Sequence, residues 1–220
     1  FTVGLLHALY TFIEKDVTPE KLAKESIHIE LDLVHELVGS QDQISAAYGG
    51  FNKIQFLQDG EILVHPISVD KDRLNHLEER MMLFFTGIIR TAENVAETYV
   101  RDIKSRSQQL CKLHAMVDDS IDILSGSGDL DDFGRLLHAG WMEKRSLSNE
   151  VSNSTVDEIY NIARSAGALG GKLLARLRGP RHHLGLLGLR VTPLLRATER
   201  SEEPAPQRLL LALLLPCTYF

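Results

Sequence analysis

Apolar positions recur at helical spacing through much of the chain. The run Phe1-Thr2-Val3-Gly4-Leu5-Leu6-His7-Ala8-Leu9-Tyr10 reads as a buried helix already under way, because no Ser, Thr, Asp or Asn cap precedes it. A signal peptide would need a basic start, and the first basic side chain besides His7 is Lys15, so the expectation is an N-terminus cut mid-domain. Thr18-Pro19-Glu20 is a strong helix start: a hydroxyl cap, proline at the first helical position and an acid in the first turn. Leu22, Ala23, Ile27, Leu31 and Val34 keep the helical period to about Leu37. Gly39-Ser40-Gln41-Asp42-Gln43 then leads into Ile44-Ser45-Ala46-Ala47-Tyr48-Gly49-Gly50, small residues that permit close packing.

The period then changes. Phe51–Leu57 and Glu61–Ile67 read as two strands, and Asp59-Gly60 between them is a hairpin signal. Met81–Thr86, ending at Gly87, reads as a buried strand. From Thr91 a helical pattern returns through Val95, Tyr99, Leu110, Leu113, Val117, Ile121 and Leu124, and stops at Ser125-Gly126-Ser127-Gly128. A second helix runs from about Asp129 to Arg145 with Phe133, Leu137 and Trp141 on one face. A third starts near Ser154, with Asp157 as an acidic capping-box partner. Gly167-Ala168-Leu169-Gly170-Gly171-Lys172-Leu173-Leu174 looks like a turn entering a strand. The sum is an α+β fold.

Composition divides the chain. Residues 1–174 carry 17 Lys+Arg and 27 Asp+Glu, a net of −10; residues 175–220 carry 7 Arg and 3 Glu, a net of +4. The tail has no Lys, Asp, Asn, Ile or Met, and holds five of the seven prolines. It lacks a steady period of 2 or 3.6, so it is expected to be disordered or the product of a reading-frame change; a native alternative C-terminus is the competing account. Its apolar run Leu209–Leu215 is far shorter than the ~20 residues of a membrane-spanning helix. The overall charge of −6 argues against a general nucleic-acid binder. Two cysteines, Cys111 and Cys217, cannot form a disulfide framework, so a reducing cytoplasm is expected, with Cys111 as a buried structural thiol.

Several constellations could carry chemistry. Glu30 and Asp42 lie on adjoining elements across a Gly-containing turn. One could hold Mg²⁺ through oxygen, and the other could accept the proton of a substrate hydroxyl; the plainer alternative is a capping Asp and a surface Glu. His28, Glu30 and His35 could be a metal set, but no pair has the i, i+4 spacing of a zinc motif, so solvated or core-edge histidines are the expectation. The aspartates from Asp118 to Asp132 lack calcium-loop spacing and read as helix caps and a solvated face. His182-His183 has no partner acids or cysteines. Lys144-Arg145, at the end of a helix, suits the helix dipole or an anionic substrate, and Arg90 could serve the same end. Gly167, Gly170 and Gly171 would let backbone approach a ligand.

In order along the chain stand Ser40-Gln41-Asp42-Gln43, Ala46-Ala47-Tyr48-Gly49-Gly50, Phe84-Phe85-Thr86-Gly87-Ile88, Asp131-Asp132-Phe133-Gly134-Arg135-Leu136-Leu137, Trp141-Met142-Glu143-Lys144-Arg145 and Gly167-Ala168-Leu169-Gly170-Gly171-Lys172-Leu173. With these motifs residues 1–174 resemble the GHMP kinases, most of all the D-glycero-D-manno-heptose 7-phosphate kinase branch. The resemblance implies transfer of the ATP γ-phosphoryl group to a sugar hydroxyl, with ATP and Mg²⁺ as cofactors and a sugar phosphate as substrate. It implies Asp42 as the catalytic acid residue, Glu30 as the Mg²⁺ ligand, Gly170 and Gly171 in cofactor binding, and Arg90, Lys144 and Arg145 in substrate binding.

The implied organisation is a remnant of the kinase N-terminal domain over residues 1–77, its C-terminal domain over 78–174, and a non-family tail over 175–220. Two Gly-rich phosphate-binding stretches of the family, one before the first helix and one after Gly-Gly-Lys-Leu-Leu, are not in this sequence. The expectation is an incomplete chain that does not turn over ATP alone. The alternative is a non-catalytic interaction module from a decayed kinase gene. Neither reading calls for a nucleic acid or a membrane.

Overall fold

A computed structural model describes residues 1–36, 39–85, 103–148, 151–175 and 184–190. They fall into two compact units, the first covering Phe1–Ile67 and the second beginning at Ser68. The boundary expected at residue 77 lies inside a helix of the second unit.

The first unit holds three helices and a hairpin. Helix α1 is Thr2–Phe12, α2 is Pro19–Ile27 and α3 is Gln41–Tyr48; strands β1, Asn52–Phe56, and β2, Ile62–Pro66, follow. The start of α2 matches its sequence signal: the Thr18 hydroxyl accepts a hydrogen bond from the Lys21 backbone N–H, with Pro19 at the first position. Val3, Leu22, Ala23, Ile44 and Phe51 are buried. The hairpin is antiparallel with Asn52 opposite Pro66 and Phe56 opposite Ile62, and Gly60 takes the positive φ of its turn at 88°.

Two expectations for this unit change. Helix α1 forms, but it is not buried: only Val3 is, while Leu5, Leu9, Phe12 and Ile13 are exposed among the described residues. Apolar sequence alone does not say what an element packs against. The helical period read through Val34 also breaks. At Ile27 the α-helix passes into a π-helical segment, His28–Leu33, and Val34 N–H donates to Ile29 O at 2.9 Å across five residues. The wider turn leaves Val34 half exposed. Leu37 lies outside the described residues.

The second unit contains α4 (Lys71–Arg80), β3 (Met81–Phe85), a 3₁₀ turn at Ile103–Arg106, α5 (Ser107–Ser125), α6 (Asp131–Leu147), α7 (Ser154–Ser165), β4 (Ala168–Ala175) and β5 (Leu184–Arg190). The sheet order is β3-β5-β4, with both pairings antiparallel. Helix α6 lies against β4. Trp141, Val151, Val156, Tyr160 and Leu173 form one core cluster, and Leu110, Leu113 and Leu147 a second. Phe133, Leu77 and Leu124 are fully enclosed.

Within the tail expected to be disordered, Leu184–Arg190 is the central strand of this sheet. Its glycines at 185 and 188 hide any strand period, so the pattern carried no signal. Three sequence readings change in this unit. Strand β3 exists but is not buried, since Met82, Leu83 and Phe84 are each about 40–50% exposed. Cys111 is exposed, because the inward face of α5 is drawn by Leu110, Leu113, Ser120 and Leu124, and the adjacent position points about 100° away. Helix α7 is capped by Asn153, whose side chain accepts from the Val156 N–H, while Asp157 turns instead to Arg145. The part of the long helical pattern before residue 103 lies outside the described residues.

One side chain ties α4 to the end of α5. Arg73 donates from Nε to Leu124 O at 3.0 Å, and from Nη2 to Ile123 O at 2.5 Å and Gly128 O at 2.8 Å. A helix C-terminus leaves its last carbonyls without partners, and this guanidinium supplies donors to them. Arg73→Ala is expected to destabilise the second unit by about 1.5–3 kcal/mol, read as a lower urea midpoint at unchanged slope.

Candidate functional site

The sequence places Glu30 and Asp42 in the first unit, and the structure shows how three helices converge on Glu30. Glu30 sits in the π-helical segment that ends α2. Its Oε1 accepts a hydrogen bond from Thr2 Oγ1, on the first residue of α1, at 2.5 Å. Its Oε2 accepts from Gln43 Nε2, on α3, also at 2.5 Å. Both donors are neutral, and among the described residues Glu30 has no ion pair. Asp42 precedes Gln43 in the first turn of α3. It is not the cap, a position held by Ser40, so its carboxylate lies in the field of the helix N-terminus. The π-helical segment and the buried Gln43 are the features that sequence reasoning missed. The signal for Gln43 was its place beside Asp42; the π segment left none.

Glu30 fits the Mg²⁺ that the resemblance implies. Its donor atoms are hard carboxylate oxygens, each still with lone pairs beyond its one hydrogen bond. Among the described residues there is no group of three or more His, Cys, Asp or Glu that could cage a metal. One or two carboxylates are what a Mg²⁺ site needs when nucleotide phosphates complete the shell. His28 turns elsewhere, with Nδ1 at 2.7 Å from Asp32 Oδ2.

The other expected site residues belong to the second unit, apart from Arg90, which lies outside the described residues. Lys144 and Arg145 are in the last turn of α6, where cations suit the helix dipole. Arg145 Nη2 donates to Asp157 Oδ2 at 2.7 Å, and Ser152 Oγ donates to Asp157 Oδ1 at 2.5 Å. Arg145 is thus held in place while about a third exposed. Gly170 and Gly171 are buried in β4. A Cβ at Gly170 would lie 2.0 Å from Gly134 O and 2.6 Å from His138 N, so the missing side chain is filled by α6. Burial raises the Tyr160 hydroxyl above the usual phenol range, an effect opposed by the Arg164 charge and the nearby Gly171 backbone.

Tyr160 and His138 form a stacked pair, with Tyr160 OH 2.8 Å from His138 Nδ1 and ring centroids 6.0 Å apart. Burial, followed by the Arg164 charge, holds His138 below the usual imidazole range. The folded chain therefore binds this proton less readily than the unfolded chain. The stability that His138 contributes is present above the unfolded value of about 6.5 and is lost as pH falls below it, through the lower folded value. A His138→Gln variant is expected to lose less melting temperature than the wild type between pH 7.5 and pH 5.5.

Comparisons with known proteins bear on the sequence as a whole. No family model matches the chain. Over 172 residues, 77% of the chain, it is 28% identical to the D-glycero-alpha-D-manno-heptose 7-phosphate kinase of Campylobacter jejuni, of which it covers 50%. Two solved structures share its fold. One is a D-glycero-D-manno-heptose 1-phosphate kinase from Bacteroides thetaiotaomicron, with a TM-score of 0.55 at 24% identity over 86% of this chain and 50% of that one. The other, from Campylobacter jejuni, is described as a sugar kinase and gives a TM-score of 0.57 at 24% identity over 86% of this chain and 53% of that one. The chain spans about half the length of these relatives. Within that span it is similar in sequence to a heptose 7-phosphate kinase and has the fold of solved sugar kinases, which is the resemblance its motifs carry.

Proposed function

We propose that this chain is part of an ATP-dependent kinase acting on a heptose phosphate, and that it contributes the acid pair of that enzyme. The observation that carries this reading is the 172-residue match to a heptose 7-phosphate kinase. In the proposed reaction a sugar hydroxyl oxygen bonds to the γ-phosphorus of ATP, the bond to ADP breaks, and the hydroxyl proton passes to Asp42. Bound Mg²⁺ would neutralise charge on the phosphates, and Glu30 is the residue to hold it. Arg90, Lys144 and Arg145 are proposed to meet the phosphate that the sugar already carries. The Asp157 carboxylate supports that role for Arg145 by fixing one edge of the guanidinium and leaving its remaining donors for a ligand.

Substrate binding tests this without requiring turnover. Calorimetric titration of the full chain with D-glycero-D-manno-heptose 7-phosphate is expected to show saturable binding. The same heptose without its phosphate is expected to bind at least about tenfold more weakly, since one charge-assisted contact is worth about 1.5–3 kcal/mol. Equal affinity for the two, or no binding of either, would overturn the reading.

A further inference from the structure

Gln43 is more polar than its surroundings require. It is 4% exposed, and only its donor is used: Nε2 reaches Glu30 Oε2, while Oε1 is buried with no partner. An unmet buried acceptor is costly, and a leucine of similar size would avoid that cost. The amide thus does something for Glu30 that packing does not demand. Thr2 acts on the opposite oxygen of the same carboxylate, so two helices grip it from two sides. Both grips are uncharged. A Lys or Arg in either place would fix the carboxylate equally well but cancel its charge; a neutral amide and a hydroxyl orient it and leave the charge for a cation.

We infer that Gln43 and Thr2 are positioning residues that hold the Glu30 carboxylate in the orientation from which it takes a divalent cation. The inference rests on the kinase reading, in which Glu30 is the metal-holding acid. Partners that orient a ligating carboxylate are worth about 10–100-fold in metal affinity.

The test uses Mn²⁺ alone as the probe, titrated into the full chain and followed by the loss of the free-ion paramagnetic resonance signal. Melting temperatures are measured alongside. Glu30→Gln is expected to abolish the site. Gln43→Leu is expected to weaken Mn²⁺ about 10–100-fold, with a melting temperature equal to or above that of the wild type, because the orphaned amide oxygen is gone. Thr2→Val is expected to weaken it in the same direction; it sits at the end of α1, so if Gln43→Leu does not fold, Thr2→Val decides alone. Wild-type affinity in both variants, with Glu30→Gln inactive in binding, overturns the positioning role and leaves the kinase reading standing. Wild-type chain that binds Mn²⁺ no better than Glu30→Gln overturns the positioning role as well, while the heptose titration decides the kinase reading separately.

Discussion

Gly170→Ala is expected to be the most damaging small substitution among the described glycines, lowering the stability of the second unit by about 3 kcal/mol or more. The reason is geometric. The added Cβ would stand 2.0 Å from Gly134 O, 2.6 Å from His138 N and 3.0 Å from His138 Cβ. Two of those atoms are backbone and cannot rotate away. Either β4 or α6 must move, and α6 carries Phe133, Leu137 and Trp141 into the core. Displacing it also disturbs the His138–Tyr160 pair. Urea denaturation followed by the fluorescence of Trp141, the one tryptophan, reads the effect directly. Gly128→Ala is the control, because a Cβ there meets nothing within 4 Å. A Gly170→Ala midpoint equal to that of the control would show that the close approach has no energetic consequence.

The second large effect is expected at Glu30. Glu30→Gln keeps the shape of the side chain and removes its charge, which is the property a hard divalent cation needs. Affinity for Mn²⁺ is expected to fall by at least about a hundredfold, exceeding the 10–100-fold attached to an orienting partner. Stability is expected to change little by comparison. The amide oxygen of the new side chain can still accept from one donor, but its NH₂ group then faces the Thr2 hydroxyl or the Gln43 amide, both of which can turn to accept it. A loss of metal binding without a matching loss of melting temperature is the signature of a ligand; parallel losses of both would mark a structural residue.

Much of the secondary structure was legible because it rests on local chemistry. Thr18-Pro19-Glu20 started a helix, Asp59-Gly60 turned a hairpin, and Ser125-Gly126 stopped α5, each through interactions within a few residues. Within the candidate site, Asp42 and Glu30 were legible as residue types on adjoining elements. Gln43 was not, because nothing in its spacing distinguishes a surface amide from one buried against a carboxylate thirteen residues away. Cys111 went the other way: its apolar neighbours suggested burial, and a rotation of one position placed it in solvent. Leu184–Arg190 was illegible for a third reason, since a strand made of leucines and glycines has no polar positions to alternate with.

The sequence by itself determined where helices and turns begin, which residues could do acid chemistry, and which family the motifs resemble. These depend on side-chain type and short-range spacing, and both are written in the chain. Tertiary structure alone decided that α2 widens into a π segment at Glu30, that Thr2 and Gln43 meet on that carboxylate, and that Gly170 is spent on the approach of α6. Each of these joins residues from different elements. Contacts of that kind are set by how helices and strands pack, and a one-dimensional pattern does not encode which faces will meet.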